Sequence, residues 1–531
     1  MAWFRSETAA PSAHVQALET GTSRLVLRGR VVTLDAAASV ITDALVAIER
    51  NQIVHIGAIG QQLPPAFASV PITETGGTIY PGLVELHNHP SYNAIPLWDV
   101  PERFENRSKW RSDLSYKRKV KSPAALLTHD PTSQNALAVI RFVECRALLG
   151  GVTATQGLSI KYMDPATKEA YRGLVRNLEL PDDTTWPAAF DQINDFTSVK
   201  EANEVYGPII NDRARPFIMH VSEGTDDDAR SVFEFLKRED GTRLIGKNFV
   251  AVHGTALNAV QIQALATGAG LVWSPLSNYL LYGETTDVTA LRAAGVPIAL
   301  GSDWGPSGTK NLLGELKIAK AVSNHLNGLF SDLELVRMVT STPTKMIGWD
   351  PYLGSVEVGK VADLLVLDGA SGDPYANLIA ATEDKVCAVI IDGRPRAGRA
   401  TILDPTKAGV ELIRVAGQDM VLDIAESPTH ALAKMSLATS IAMLSYALEH
   451  LPELAGKFAA QHELLGSADR ISLHLDLDEE FAMRLVTAAE PIHPGDVDPM
   501  KLEPLTSVDD KTLRDRLRAN QNLPAWLRAA I

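Results

Sequence analysis

The sequence predicts an α/β protein: a β/α barrel with short strands on both flanks and a helical tail. Three observations carry this reading. Short apolar runs alternate with helical stretches over residues 83–349, strand-rich segments stand on either side of that region, and 531 residues, 45% of them apolar, are too many for one ordinary domain.

The first flank reads as strands. Leu25–Leu34 is β-rich and runs into Asp35, and Ala44–Ile48 and Ile53–Ile56 are short apolar runs separated by Glu49-Arg50-Asn51. This spacing suggests a small antiparallel sheet. In the central region, strand-length runs fall at Val152–Thr155, Pro216–Met219, Phe249–Val252, Leu271–Trp273 and Val296–Leu300, and helical periodicity at Ala136–Leu149, Ala229–Leu236, Ala259–Ala266 and Leu312–Val322. The third and fourth barrel strands have no clear signal between Leu158 and Arg215. Gly359–Leu367 and Val386–Ile391 read as strands returning to the first sheet. From about Pro405 the chain reads as helical, with Ile441, Leu444, Leu448 and Leu451 on one face at spacings of 3, 4 and 3. The divisions are 1–82, 83–349, 350–404 and 405–531.

Composition narrows the function. Lys plus Arg is 50 against 64 Asp plus Glu, a formal net charge of −14. Such a chain is poorly suited to wrapping nucleic acid, which needs a concentrated basic surface. Two cysteines, Cys145 and Cys387, form no disulfide framework and fit a reducing compartment. Met1–Ser23 is broken by Arg5, Glu7, His14 and Glu19 and has no apolar core of signal-peptide length. No stretch reaches the roughly 18 unbroken apolar residues of a spanning helix; the longest apolar-looking helix, near Ala431–Leu448, carries Lys434 and several hydroxyl residues. The expectation is a cytoplasmic protein with no membrane or nucleic-acid partner.

The chemistry concentrates where apolar runs end. His87-Asn88-His89 closes Leu83–Leu86, His220 closes Pro216–Met219, His253 closes Asn248–Val252, and Asp303 follows Val296–Ser302. Histidines at i and i+2 at a strand end point the same way, so both imidazoles can meet one cation. The C-terminal ends of barrel strands are where catalytic groups sit. Taken singly, each is better explained as a hydrogen-bonded core histidine or a helix-capping aspartate; together they require four coincidences. Glu223, three residues after His220, is placed to shuttle protons to and from a metal-bound water, although beside an isolated histidine it would read as an exposed loop residue.

These residues resemble the amidohydrolase superfamily. Pro81-Gly82-Leu83-Val84-Glu85-Leu86-His87-Asn88-His89 looks like the entry into its first barrel strand, Gly359-Lys360-Val361-Ala362-Asp363-Leu364 like its return into the flanking sheet, and Trp273–Leu280 like the segment after the seventh strand of its deaminases. The order His-x-His, His-x-x-Glu, His, Asp is similar to the mononuclear branch, which includes cytosine, guanine and adenosyl-type deaminases and triazine hydrolases. The resemblance covers about residues 25–400. It implies a metal-dependent (β/α)8 TIM-like barrel with a small β-sandwich formed by both flanks, the C-terminal helical extension having no counterpart. It implies one divalent metal ion, zinc or iron, held by His87, His89, His220 and Asp303. His253 would contact the metal-bound water or a substrate oxygen, and Glu223 and Asp303 would move protons.

The implied activity is hydrolysis of a non-peptide carbon–nitrogen bond in a small-molecule substrate, foremost the deamination of a nitrogen heterocycle, by a homo-oligomer. Hydrolysis of an amide or of a ring halide is the alternative within the superfamily. A barrel that only binds is the alternative outside catalysis, and the presence of all six polar positions counts against it. Binuclear relatives use a carboxylated lysine on the fourth strand; Lys161, Lys168 and Lys200 lie in the unplaced region, and Glu223 argues against that arrangement. Trp304 is bulkier than expected after Asp303 and would narrow the pocket. Residues 102–121 carry eight basic side chains (Arg103, Arg107, Lys109, Arg111, Lys117, Arg118, Lys119, Lys121) against three acidic ones, interleaved with aromatics. That segment reads as a surface or subunit contact, or as a lid attracting an anionic substrate.

Overall fold

The computed structural model describes residues 23–130, 132–156, 165–171, 173–461, 473–478 and 492–531. The leader reading of the N-terminus (apart from Ser23) and the alternative at Lys161 fall outside these residues. Among them, no helix is long and apolar enough to cross a membrane.

Four strands open the chain: β1 (Arg24–Val32), β2 (Val40–Glu49), β3 (Gln52–Ala58) and β4 (Ile72–Pro81). Eight short parallel strands follow: β5 (Leu83–Glu85), β6 (Val152–Thr155), β7 (Arg176–Asn177), β8 (Phe190–Gln192), β9 (Phe217–Val221), β10 (Phe249–His253), β11 (Gly270–Trp273) and β12 (Ile298–Leu300). Five more complete the set: β13 (Leu364–Asp368), β14 (Val386–Ile391), β15 (Arg394–Gly398), β16 (Glu411–Val415) and β17 (Gln418–Leu422).

The eight central strands hydrogen-bond as β5-β6-β7 and β8-β9-β10-β11-β12. Backbone hydrogen bonds also cross both seams. Ala189 N–H donates to Leu178 C=O at 2.8 Å beside β7 and β8, and Asp303 N–H donates to His87 C=O at 3.2 Å beyond β12 and β5. The side chains divide by the strand period of two. Val84, Ala154, Ile218, Val250, Val252, Val272 and Ala299 pack together on one face of these strands, with Leu86, Leu178 and Ala189 from the adjoining residues. Their neighbours Phe217, Met219, Val221, Phe249, Leu271, Trp273 and Leu300 pack outward. Burial on both sides is why these strands read as unbroken apolar runs. β7 and β8 have two and three residues, too short for a recognisable run, which is why the sequence leaves them unplaced.

The flanks interleave in one nine-stranded sheet of order β16-β17-β15-β14-β13-β4-β1-β2-β3. Its junction is β4, parallel to β1 and antiparallel to β13. Two expectations need correction. The tail does not begin as helix: β16 and β17 form a hairpin whose turn residues Ala416 and Gly417 both have positive φ (50° and 79°), as a two-residue turn matched to strand twist requires. In the helix Leu437–Glu449 the buried face is Leu437, Ser440, Leu444, Ala447 and Leu448, whereas Ile441 is 36% exposed. Ser440 lies on that face because its hydroxyl donates to Ala138 C=O at 2.6 Å, docking the helix on Gln134–Leu149.

One buried ion pair joins the flanking sheet to the central strands. Arg176 of β7 donates to both oxygens of Asp363 at 2.7 and 3.0 Å and to Asp392 at 2.8 Å. Removing one partner strands a charge in the interior, which costs about 3–5 kcal/mol. Arg176→Ala should therefore lower unfolding stability by that amount in denaturant titration; a loss under 1 kcal/mol would show that the two parts are held by apolar packing alone.

Candidate metal and catalytic site

Every site residue is buried at a strand's C-terminal end. His87, His89, His220 and His253 are 0–1% exposed, Asp303 3% and Glu223 6%. His220 shares the inward face of β9 with Ile218 by the period of two. Ser222, His253 and Asp303 have φ of 52°, 63° and 65°, left-handed conformations that end the extended backbone of β9, β10 and β12. Glu85 secures the first strand to the last: it accepts Ser302 N–H at 2.9 Å, the Ser302 hydroxyl, and the Asn88 amide at 2.8 Å.

The imidazoles face a common point. His87 Nε2 lies 3.0 Å and His89 Nε2 3.5 Å from the same Asp303 oxygen. The His220 ring centroid is 4.7 Å from that of His87, 5.2 Å from His89 and 5.1 Å from His253. Ligand atoms of His87, His89 and His220 lie within 4.8 Å of one another, as do those of His87, His253 and Asp303. His89 Nε2, both nitrogens of His220 and Glu223 Oε2 are buried without a hydrogen-bond partner. Polar atoms this deep are almost always partnered. Several imidazole lone pairs beside one carboxylate form the donor set of a borderline divalent cation, so the residues fit a metal.

Second partners orient these groups. His87 Nδ1 is 3.3 Å from Gln156 Oε1, and His89 Nδ1 is 2.6 Å from Asp476 Oδ2. Asn278 Oδ1 accepts the Thr285 hydroxyl at 3.2 Å, which turns its amide nitrogen toward His253 Nδ1 at 3.1 Å. His253 Nδ1 is therefore the acceptor, and its Nε2 carries the proton and faces Glu223 Oε2 at 3.9 Å. Tyr282 donates to Glu223 Oε1 at 2.6 Å, while Oε2 has no hydrogen bond and lies 3.7 Å from Arg107 Nη1.

Burial dominates the electrostatics. It pushes the Glu223 carboxyl up to about 7, with Arg107 and the Tyr282 hydrogen bond opposing. Burial also lowers His253 to about 3 and His220 well below the usual histidine range, so both rings are neutral at pH 7. For Asp303, burial acts upward, but the surrounding His87, His253 and His89 outweigh it and hold the carboxyl below its ordinary range.

The structure brings His87, His89, His220, Glu223, His253 and Asp303 together. The fourth strand, β8, carries no lysine; Lys168 lies in the helix Pro165–Tyr171, and Lys200 is exposed and paired with Glu204. Sequence reading gave no role to Asn278 or Glu85, and it missed four further participants. Gln156 directly follows β6 and obeys the same strand-end rule as the histidines. Tyr282 lies one helical turn after Asn278, within the helix Pro275–Tyr282. Arg107 was visible only as part of a basic run, and Asp476 gave no signal.

The basic segment turns its aromatics inward and most of its charges outward: Arg103, Lys109 and Lys119 are exposed and Arg111, Lys117, Arg118 and Lys121 half-buried. Trp98, Phe104, Trp110 and Tyr116 are buried, and Arg107 is 4% exposed. Asn106 pairs with Gly224 beside Glu223, where a side chain at Gly224 would collide with the Glu105 and Asn106 backbone. Trp304 packs against Trp110, Tyr92 and Tyr116, and its ring lies edge-on to His89 at 6.3 Å. Its bulk closes the side of the site beside His89.

The model of the Amidohydrolase family matches residues 78–396. The 5-methylthioadenosine/S-adenosylhomocysteine deaminase of Syntrophobacter fumaroxidans is 25% identical over 418 residues, covering 70% of this chain and 93% of that protein. The 5'-deoxyadenosine deaminase of Methanopyrus kandleri is 25% identical over 341 residues, 57% of this chain and 76% of that one. Among solved structures, the zinc complex of atrazine chlorohydrolase from Arthrobacter aurescens superposes with a TM-score of 0.54 at 19% identity, covering 70% of this chain and 95% of that one. Guanine deaminase of E. coli gives 0.53 at 17% identity, covering 70% and 99%. These last two likenesses show the fold, a TIM-barrel type with mixed α/β content.

Proposed function

The chain belongs to the amidohydrolase family, and on that footing we propose that it is a metal-dependent hydrolase of non-peptide carbon–nitrogen bonds that deaminates a nitrogen heterocycle. The observation that carries this reading is the convergence of unpartnered His89, His220 and Glu223 atoms beside Asp303. In this reading the eight central strands close a (β/α)8 barrel over 83–349, the two flanks form the accessory β-layer, and 405–531 is an added extension. His87, His89, His220 and Asp303 would hold one divalent cation, zinc or iron. Curated relatives named as deaminases of adenosine derivatives support a purine-like substrate.

A divalent cation held by these residues would supply Lewis acidity, lowering the pKa of water enough for attack near neutral pH. The chain's own groups do the rest. Glu223 Oε2, with Tyr282 fixing the other oxygen, takes a proton from the attacking water and returns it to the leaving nitrogen. His253 donates its Nε2–H to the oxygen on which charge develops, an interaction strengthened by the absence of competing water. Asp303, held ionised, orients the water and accepts a hydrogen bond from it. Water and the aminated ring thereby become the hydroxylated ring and ammonia. No serine or cysteine nucleophile is needed: Cys145 and Cys387 are buried, and burial raises both thiols.

Purified protein should carry about one divalent metal per chain by elemental analysis, and His87→Ala or His220→Ala should lose most of it. Two metals per chain would overturn the single-ion site. Glu223→Gln keeps the shape and removes the base, so metal should remain while turnover drops about a hundredfold or more; loss of metal would make Glu223 a ligand instead. A panel of aminated heterocycles, amides and halogenated rings, scored for released ammonia, carboxylate or halide, tests the reaction class. Release of halide alone would leave the metal site standing and reject deamination.

A further inference from the structure

Beyond the six residues assigned above, one group reaches the site from far outside the matched family region. Leu473–Asp478 belongs to the C-terminal extension, nearly 80 residues past the last matched residue, and lies against the elements that follow β5. Leu473, Leu475 and Leu477 are buried, and so are Asp476 and Asp478. The segment is fastened at several points. Leu473 N–H donates to Thr128 C=O at 3.1 Å, Ser91 donates its hydroxyl to His474 C=O at 2.8 Å, and Tyr92 and Tyr116 both donate to Asp478. Between these anchors Asp476 Oδ2 meets His89 Nδ1 at 2.6 Å.

A neutral imidazole has one N–H and one lone pair, and the partner of one nitrogen decides which is which. A carboxylate on Nδ1 draws the proton there. The lone pair is then left on Nε2, the buried atom without a hydrogen-bond partner that faces Asp303. His87 has only a neutral amide oxygen on its Nδ1, at 3.3 Å. The two histidines of the His-x-His pair are thus supported unequally. His89 has the shorter and charged contact, which also raises its strength as a donor. Trp304, edge-on to the same ring, leaves it little room to turn.

We propose that Asp476 is a positioning residue for the metal centre: it fixes the tautomer and orientation of His89, so that the C-terminal extension supplies the outer support of a site whose direct ligands all lie within the family region. This rests on the reading of His89 as a ligand. The extension is therefore part of the active centre and not an appendage to it. Asp478 shares the work by fixing Tyr92 and Tyr116, the aromatic wall on which Trp304 packs.

The test is zinc affinity of the full-length chain, stripped of metal and titrated with zinc against a chromophoric chelator, which needs no substrate. Asp476→Ala should weaken zinc 10–100-fold. Asp476→Asn, which keeps an acceptor oxygen and loses the charge, should fall between it and the parent, and Asp476→Glu should recover part of the loss. Circular dichroism and thermal unfolding of the metal-free forms should show each variant folded, if less stable than the parent, separating a local effect on the metal from misfolding. If Asp476→Ala fails to fold, Asp476→Asn decides. Unchanged zinc affinity in the folded Asp476 variants, with His220→Ala weakened, would overturn the proposal and leave the metal site intact. Unchanged affinity in His220→Ala would instead overturn the metal reading itself.

Discussion

The seam where the last central strand meets the first is the constraint on which the rest of the site depends. Asp303 N–H donates to His87 C=O, and His89 N–H donates back to Asp303 C=O. This ladder continues past the ends of β5 and β12, into residues that would otherwise be loop. It fixes His87, His89 and Asp303 in one rigid patch, and Glu85 locks the patch from below through Ser302 and Asn88. The left-handed backbone at Ser222, His253 and Asp303 costs of order 1 kcal/mol or more at each residue, and only a well-packed surround holds it. The inner cluster of small and β-branched side chains provides that surround.

Burial then sorts the ionisable groups by role. The same loss of water that keeps His253 and His220 neutral raises Glu223 toward neutrality. In the proposed mechanism neutral imidazoles serve as ligands and, at His253, as a directed N–H donor. A carboxyl poised near 7 can both take and give a proton. Arg107 keeps Glu223 from rising further, which gives one member of the basic segment a definite electrostatic role at the site. The aromatic residues of that segment serve packing, and its other seven basic side chains reach solvent wholly or in part, the pattern of an amphipathic surface segment.

How much was legible follows from range. His87, His89, His220, His253 and Asp303 end strand runs that are fully buried and therefore visibly apolar, and position along such a run is a local signal. Glu223 was legible through its distance from His220. Gln156 carried the same signal and was passed over because an amide is not read as a ligand. β7 and β8 were invisible because two or three residues hold no periodicity. Asp476 was beyond reach for another reason: Leu473-His474-Leu475-Asp476-Leu477-Asp478 alternates like an ordinary half-buried strand, and nothing local says that the Asp476 carboxylate faces a histidine nearly 400 residues earlier. Ile441 was misassigned because a spacing rule fixes a helix's face only to within one neighbouring position.

The interleaved outer sheet has a consequence for how the chain reaches this structure. β4 lies between β1 and β13, and Pro81 pairs with Leu364. As the ribosome delivers the chain from its N-terminus, one edge of β4 waits bare until the whole central region has emerged. Such an edge is a template for pairing with other chains. It carries Thr78, Ile79 and Tyr80, all buried in the finished fold. Contacts this distant in sequence form late and slowly. The nascent protein therefore passes through a long interval in which its central strands can assemble while its outer sheet is open at β4.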